Sequence, residues 1–218
     1  MRPMEESCPS LLSSIVVLGR MIGLSCRRVK PRTLTNARLP VNCRGSVKKS
    51  IPAFERTGVL SEADLRRHEF LPSPARFAKG PVVVVECVQE IPCNPCADAC
   101  ARKAIRIEGN ITNIPQVNFD ACNGCTVCIA RCPGLAIFVV NRNYNAKEAS
   151  IALPYELLPR PKKGNIVTAL DRFGKPCCKA RVEKVLESRA LDRCAVVTIA
   201  VPKKYYNVAR GIKVVSSE

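Results

Sequence analysis

Twelve residues constrain this chain more than any others: Cys122-Asn-Gly-Cys125-Thr-Val-Cys128-Ile-Ala-Arg-Cys132-Pro133. Of the fourteen cysteines, seven fall between Cys93 and Cys132, with Cys87 just upstream. A secreted disulfide scaffold spreads its cysteines along a short chain, whereas gaps of two and three residues gather thiols for metal. The run is also one half of a repeat. Cys125, Cys128 and Cys132 fall on Cys93, Cys96 and Cys100 at a constant offset of 32 residues. Val117 falls on Val85, and Ala136-Ile137 on Ala104-Ile105. Each half reads strand, Cys loop, short helix, strand, with strands expected at 82–86, 105–107, 116–118 and 137–140. Gly109-Asn110 punctuates the join. Two such halves imply a pseudo-twofold axis.

The second half has the C-x2-C-x2-C-x3-C-P spacing of bacterial iron–sulfur proteins. Three thiolates two residues apart, on a loop curling round a cube, each reach a different iron. The fourth, one helical turn later, points away from that cube toward a neighbouring one. Gly124 lets backbone N–H groups approach the inorganic sulfides, and Pro133 fixes the turn after the last thiol. Zinc is the competing reading. Four thiols so close together are crowded for two separate zinc knuckles, and no histidine is near.

The first half departs from the repeat. Glu90 stands where a cysteine is expected, Cys87 sits three residues earlier, and Ala101 replaces the proline. Pro92 and Pro95 stiffen the enlarged loop. Cys87 is therefore either a true ligand or a buried strand-end thiol. In the second case the first site holds a three-iron cluster or nothing, and an empty site would strand Cys132.

Residues 81–141 resemble the two-cluster bacterial ferredoxin family. The resemblance implies an α+β, ferredoxin-like (βαβ)2 domain with two 4Fe-4S clusters. It implies interleaved ligands: Cys122, Cys125, Cys128 and Cys100 for one cluster, and Cys87, Cys93, Cys96 and Cys132 for the other. Crossed ligation matters because about sixty residues bury little apolar surface, so the metal-free domain is expected to lose its fold. The segments Glu86-Cys87-Val88-Gln89-Glu90-Ile91-Pro92-Cys93-Asn94-Pro95-Cys96 and Cys132-Pro133-Gly134-Leu135-Ala136-Ile137 look like ferredoxin-type subunits of flavin-dependent amino-acid dehydrogenases in anaerobic bacteria. That likeness implies a redox partner, a flavoprotein oxidoreductase, and no catalytic site on this chain.

The flanks are read from pattern. Residues 1–50 carry ten basic side chains against two acidic ones and show no periodicity. They read as a disordered basic tail or an over-long translated start. The apolar stretch from Ser7 to Gly19 is short and poorly flanked for a secretory signal. Residues 51–80 read as a short helical strap, with a capping box at Ser61 and Asp64. His68 reads as solvent-exposed. Within 81–145 lies the two-cluster domain. Pro154, Pro159 and Pro161 mark a linker over 146–164. Residues 165–218 alternate as a small β-sheet or barrel, with strands expected at 166–170, 178–186, 195–201 and 212–215. Cys177, Cys178 and Cys194 read as buried or incidental thiols.

Charge and composition narrow the function. The net charge of +17 suggests nucleic acid, but about half of it lies in the tail. The four Tyr and six Phe are not interleaved with basic residues as a stacking surface requires. No run reaches the ~20 apolar residues of a membrane span. Free ferredoxins of the family are usually small and acidic, so a larger basic chain reads as a dedicated electron-transfer subunit. An iron–sulfur redox sensor and a basic nucleic-acid binder are the alternatives. Thiolates that must survive to meet iron indicate a reducing, cytoplasmic compartment.

Overall fold

The apolar quartet Val82–Val85 is buried at every position, so it must be covered on both faces. In this computed structural model, which describes residues 53–191 and 194–214, it opens a large antiparallel sheet. The helices are α1 (Ala53–Thr57), α2 (Glu62–Arg67), α3 (Pro74–Ala78), α4 (Pro95–Asp98) and α5 (Val127–Arg131). The strands are β1 (Val82–Val85), β2 (Ile105–Arg106), β3 (Gln116–Val117), β4 (Ile137–Asn141), β5 (Glu148–Tyr155), β6 (Ile166–Leu170), β7 (Pro176–Leu186), β8 (Ala195–Pro202) and β9 (Gly211–Lys213). Seven of them pair in the order β1-β4-β5-β8-β7-β6-β9, and β2 pairs with β3 separately. The tail over 1–50, with Cys8, Cys26 and Cys43, lies outside the described residues.

Side-chain parity explains the architecture. Val82 and Val84, Phe138 and Val140, Ile151 and Leu153, and Val197 and Ile199 point into one core shared with β6, β7 and β9. Val83 and Val85, Ile137 and Val139, Ala152 and Val196 point the other way, onto α5 and the Cys loops. Strands β1, β4, β5 and β8 are thus a platform with a hydrophobic core beneath it and the thiol-bearing loops above.

The sequence placed a linker over 146–164, but Glu148–Tyr155 is the strand that joins β4 to β8. Pro154 misleads because proline is disfavoured in central strands. Here β4 pairs only as far as Ala152, so Pro154 sits beyond its reach and leaves no ladder bond unmade on that side. The described part of 165–218 is therefore continuous with the Cys-bearing part, in one compact unit. Register shifts at Ala169/Leu170 and Val182/Lys184 bend β6 and β7. Such irregularities increase local twist and let a sheet curl.

The curl brings the two edge strands together through one carboxylate. Glu86, directly after β1, accepts from Arg172 Nε and Nη2 at 2.8 and 2.7 Å and from Arg210 Nε at 2.7 Å. Arg172 follows β6 and Arg210 precedes β9. Arg210 also donates to the carbonyl of Ala209 and lies over the Phe138 ring. Burial alone would raise the Glu86 carboxyl, but the hydrogen bonds and charges of Arg172 and Arg210 outweigh it and hold it below 4.5. Burial pushes Arg210 down to about 10, against the pull of Glu86.

Breaking a buried ion pair strands its partners, at about 3–5 kcal/mol. Glu86→Gln is expected to lose roughly that much stability, read as a lower urea midpoint by far-UV circular dichroism. The carboxylate's contribution is full at neutral pH and is lost as pH falls from its unfolded value through the depressed folded one. The variant should therefore lose part of the wild type's acid-unfolding limb. An unchanged midpoint and acid limb would show that the clamp carries no stability.

The N-terminal helices behave partly as expected. Ser61 and Asp64 form the complete capping box of α2. Leu60, Leu65 and Phe70 pack with Phe54, Val88 and Ile114, laying the strap against the first Cys loop. His68 is not simply exposed. It is half-buried, stacked on Phe70 and edge-on to Phe54. Beyond the end of α2, Ser73 caps a further helix, α3, by accepting from the Arg76 amide.

Candidate metal centre

The repeat is present in three dimensions with its 32-residue offset. Val85 faces Ile137 in the β1–β4 pair, and their equivalents Val117 and Ile105 face each other in the β3–β2 pair. The Glu86 amide donates to the Ala136 carbonyl at 2.8 Å, and the equivalent Asn118 amide donates to Ala104 at 2.8 Å. Lys103 and Leu135, also equivalent, both take positive φ, at 49° and 52°. Each sits three residues after a cysteine, and each turn aims an amide back at that thiol. Ala104 N–H donates to Cys100 Sγ at 3.2 Å, and Ala136 N–H to Cys132 Sγ at 3.4 Å. Hydrogen bonds of this kind are how a protein tunes a sulfur-bound metal.

Helices α4 and α5 make the crossing. Cys96 lies within α4 and Cys100 just beyond it; Cys128 lies within α5 and Cys132 caps it. One cavity is walled by Cys100, Cys122, Cys125 and Cys128, together with Gly124, Val83 and Val139. A second cavity, of ≈ 280 Å³, is walled by Cys87, Cys93, Cys96 and Cys132, with Glu86 and Leu60 at its rim. All eight sequence-predicted cysteines therefore line one cavity or the other, and each cavity takes its fourth thiol from the opposite half. The Cys87-x5-Cys93 loop bounds the wider cavity. The first is tight, at ≈ 20 Å³.

The thiols' mutual electrostatics divide along the same line. Burial pushes Cys128 up to about 12, and Cys125, Cys122 and Cys100 add to it. Burial pushes Cys96 up to about 11, with Cys132, Cys87 and Cys93 adding. Cys87 is raised by burial and then by Cys132 and Cys93. All eight are free thiols. Among the described residues, no three His, Cys, Asp or Glu side chains gather as closely as a single ion demands. The thiols surround a volume, which suits a polynuclear group bound by four thiolates. Loading such a group displaces these protons.

Gly124 is needed for a reason the sequence did not disclose. Its φ is +71°, and a Cβ there would lie 2.6 Å from the Cβ of Pro81, the residue before β1. Its N–H donates to Cys122 Sγ at 3.4 Å. Gly124→Ala is expected to combine backbone strain and overpacking for about 1–3 kcal/mol. The variant should retain less iron than the wild type after desalting; equal retention would contradict this reading of Gly124.

Two arrangements escaped sequence reasoning. One is the Glu86 clamp beside Cys87. The other is Arg76 of α3, whose guanidinium donates to the carbonyls of Phe119 and Cys122 at 2.7 Å each. Neither has a local signature, since the partners are 43 to 124 residues apart. Cys177 and Cys178 are half-buried against the lower core, and Cys194 is buried in the upper one, away from both cavities.

Two cavities, each lined by four free thiols from interleaved loops, have the donor set of a polythiolate site. Comparison with known proteins narrows the class. The chain is 42% identical over 59 residues to the ferredoxin-type protein NapF of Haemophilus influenzae, covering 25% of this chain and 34% of that one. It is 41% identical over 51 residues to the ferredoxin-type protein NapF of Escherichia coli K12, covering 22% and 31%. The chain thus spans about a third of the length of these curated relatives. No family model and no solved structure matches it. The partial matches support an iron–sulfur protein of ferredoxin type. Among the described residues, no helix is long and apolar enough to cross a membrane.

Proposed function

We propose that this chain relays single electrons through two 4Fe-4S clusters on a ferredoxin-like (βαβ)2 scaffold, as a subunit of a flavin-dependent oxidoreductase. Cys87, Cys93, Cys96 and Cys132 hold one cluster, and Cys100, Cys122, Cys125 and Cys128 hold the other. The observation that carries this is the crossed arrangement of four thiols around each cavity. A cube of this kind accepts one electron with little change in geometry, and its surroundings set the potential. The chain's residues do the rest. The two sets of thiols saturate their clusters, which leaves no open position for Lewis-acid chemistry. Helix α4 with Cys100 just after it, and α5 with Cys132 at its C-cap, each serve both cavities, which couples the two sites. Cys125 is exposed, which opens that site to a partner, whereas Cys96 and Cys128 are buried.

The flavoprotein partner rests on the sequence resemblance, together with the extra β-sheet that a freely diffusing carrier does not need. The test is reductive titration of anaerobically reconstituted protein under electron paramagnetic resonance. Uptake of about two electrons per chain, with spin–spin coupling between the reduced centres, is the expected result. Uptake of one electron without coupling would overturn the two-cluster relay. Isolation without oxygen should bring down a flavin-containing protein; a monomer at micromolar concentration would overturn the subunit assignment.

A further inference from the structure

Arg76 is a buried cation with no anion beside it among the described residues. The residue is 8% exposed. Its Nε donates to Phe119 O at 2.7 Å, Nη2 to Cys122 O at 2.7 Å and Pro81 O at 3.2 Å, and Nη1 to Gly80 O at 3.4 Å. These carbonyls satisfy its donors but carry no net charge. Among the described residues, no carboxylate lies within ion-pairing distance of it; Asp120, in the same loop, pairs with Lys79. The contrast is with Arg172 and Arg210, which share the carboxylate of Glu86. An uncompensated buried charge is costly and is ordinarily avoided. Here it is fixed against the main chain of Cys122, whose thiol walls the second motif's cavity.

We propose that the Arg76 guanidinium is the counter-charge of the cluster bound by Cys100, Cys122, Cys125 and Cys128, and that it raises the reduction potential of that cluster. The inference rests on the two-cluster reading above. A cube held by four thiolates is an anion and becomes more negative on reduction. A fixed positive charge in a region of low dielectric stabilises the reduced form more than the oxidised one. The wider cavity is placed differently: Glu86 lines it, and both Arg172 and Arg210 bind the carboxylate of Glu86.

The test compares full-length wild type, Arg76→Met and Arg76→Lys, each loaded anaerobically and poised at a series of potentials under paramagnetic resonance. The same three are also measured with Cys132→Ala added, so that only the second-motif cluster contributes. Met removes both the charge and the fork. Lys keeps the charge and loses the fork. In Arg76→Met the second-motif cluster should be harder to reduce by about tenfold in its oxidised-to-reduced ratio, ~59 mV for one electron. In Arg76→Lys the change should be under about threefold. A loaded Met variant with wild-type potential would overturn the proposal and leave Arg76 as a loop anchor. An equal fall in Lys and Met would also overturn it, since geometry and not charge would then be responsible. Should Arg76→Met not retain its cluster, Arg76→Lys decides alone: a potential near wild type supports the counter-charge, and a tenfold fall refutes it. A wild-type chain that takes up no cubane iron is recognised by iron analysis before any titration, and its failure belongs to the two-cluster reading instead.

Discussion

Cys132→Ala should remove the cluster proposed for Cys87, Cys93 and Cys96, although Cys132 belongs to the other motif. Iron should fall from about eight to about four atoms per chain, with the remaining cluster in the cavity of Cys100, Cys122, Cys125 and Cys128. Cys100→Ala should do the reverse. The crossing is tested by combination. Cys132→Ala with Cys87→Ala strikes one site twice, so about four irons should remain. Cys132→Ala with Cys128→Ala strikes both sites, so almost none should remain. This non-additivity follows from which cavity each thiol walls, not from its place in the sequence. Had the motifs bound their clusters separately, the first double variant would lose both clusters.

Chelating the iron should melt the upper half of the molecule and spare the lower. From sequence, the metal-free form is expected to lose its fold, because a sixty-residue unit has little core of its own. The sheet changes that expectation. Strands β1 and β4 belong to a seven-stranded sheet whose lower core includes Val84, Phe138, Ile151, Leu153, Val197 and Ile199 and contains none of the eight cysteines among its buried members. The upper core, in contrast, includes Cys96 and Cys128, with Cys87, Cys100, Cys122 and Cys132 packed against it. Hydrogen exchange should therefore rise by about a hundredfold or more in the Cys loops, α4 and α5 after iron removal. Amides of β5, β7 and β8 should rise by less than about tenfold. Global exchange throughout would mean that the sheet has no independent stability; unchanged protection in the loops would mean that the metal does not hold them.

Much of the site was legible in the sequence because its information is local. Thiol spacing, a constant repeat offset and period-two apolar runs are written within a few residues of one another. Strands β1 and β4 were accordingly placed to within a residue of their observed ends, and Ile166–Leu170 was placed to the residue. What was not legible is non-local. Pro154 reads as a linker residue because nothing in its neighbourhood says that β4 will end its pairing at Ala152. Arg76 reads as one more surface cation until the chain brings it against carbonyls 43 and 46 residues away. Glu86 reads as the residue before a cysteine, and only the curl of the sheet reveals it as a clamp between two edges. His68 shows the same limit: its charged neighbours suggested exposure, and the aromatic pair that half-buries it comes from either side of the helix.

The central claim is that eight thiols cage two cubanes. Mössbauer spectroscopy of protein reconstituted with isotopic iron under argon, with iron and acid-labile sulfide counted on the same sample, tests it most directly. About eight irons and about eight sulfides per chain are expected, all in delocalised cubane pairs. A sulfide-free sample carrying tetrahedral mononuclear ions, or four irons or fewer after complete reconstitution, would contradict it.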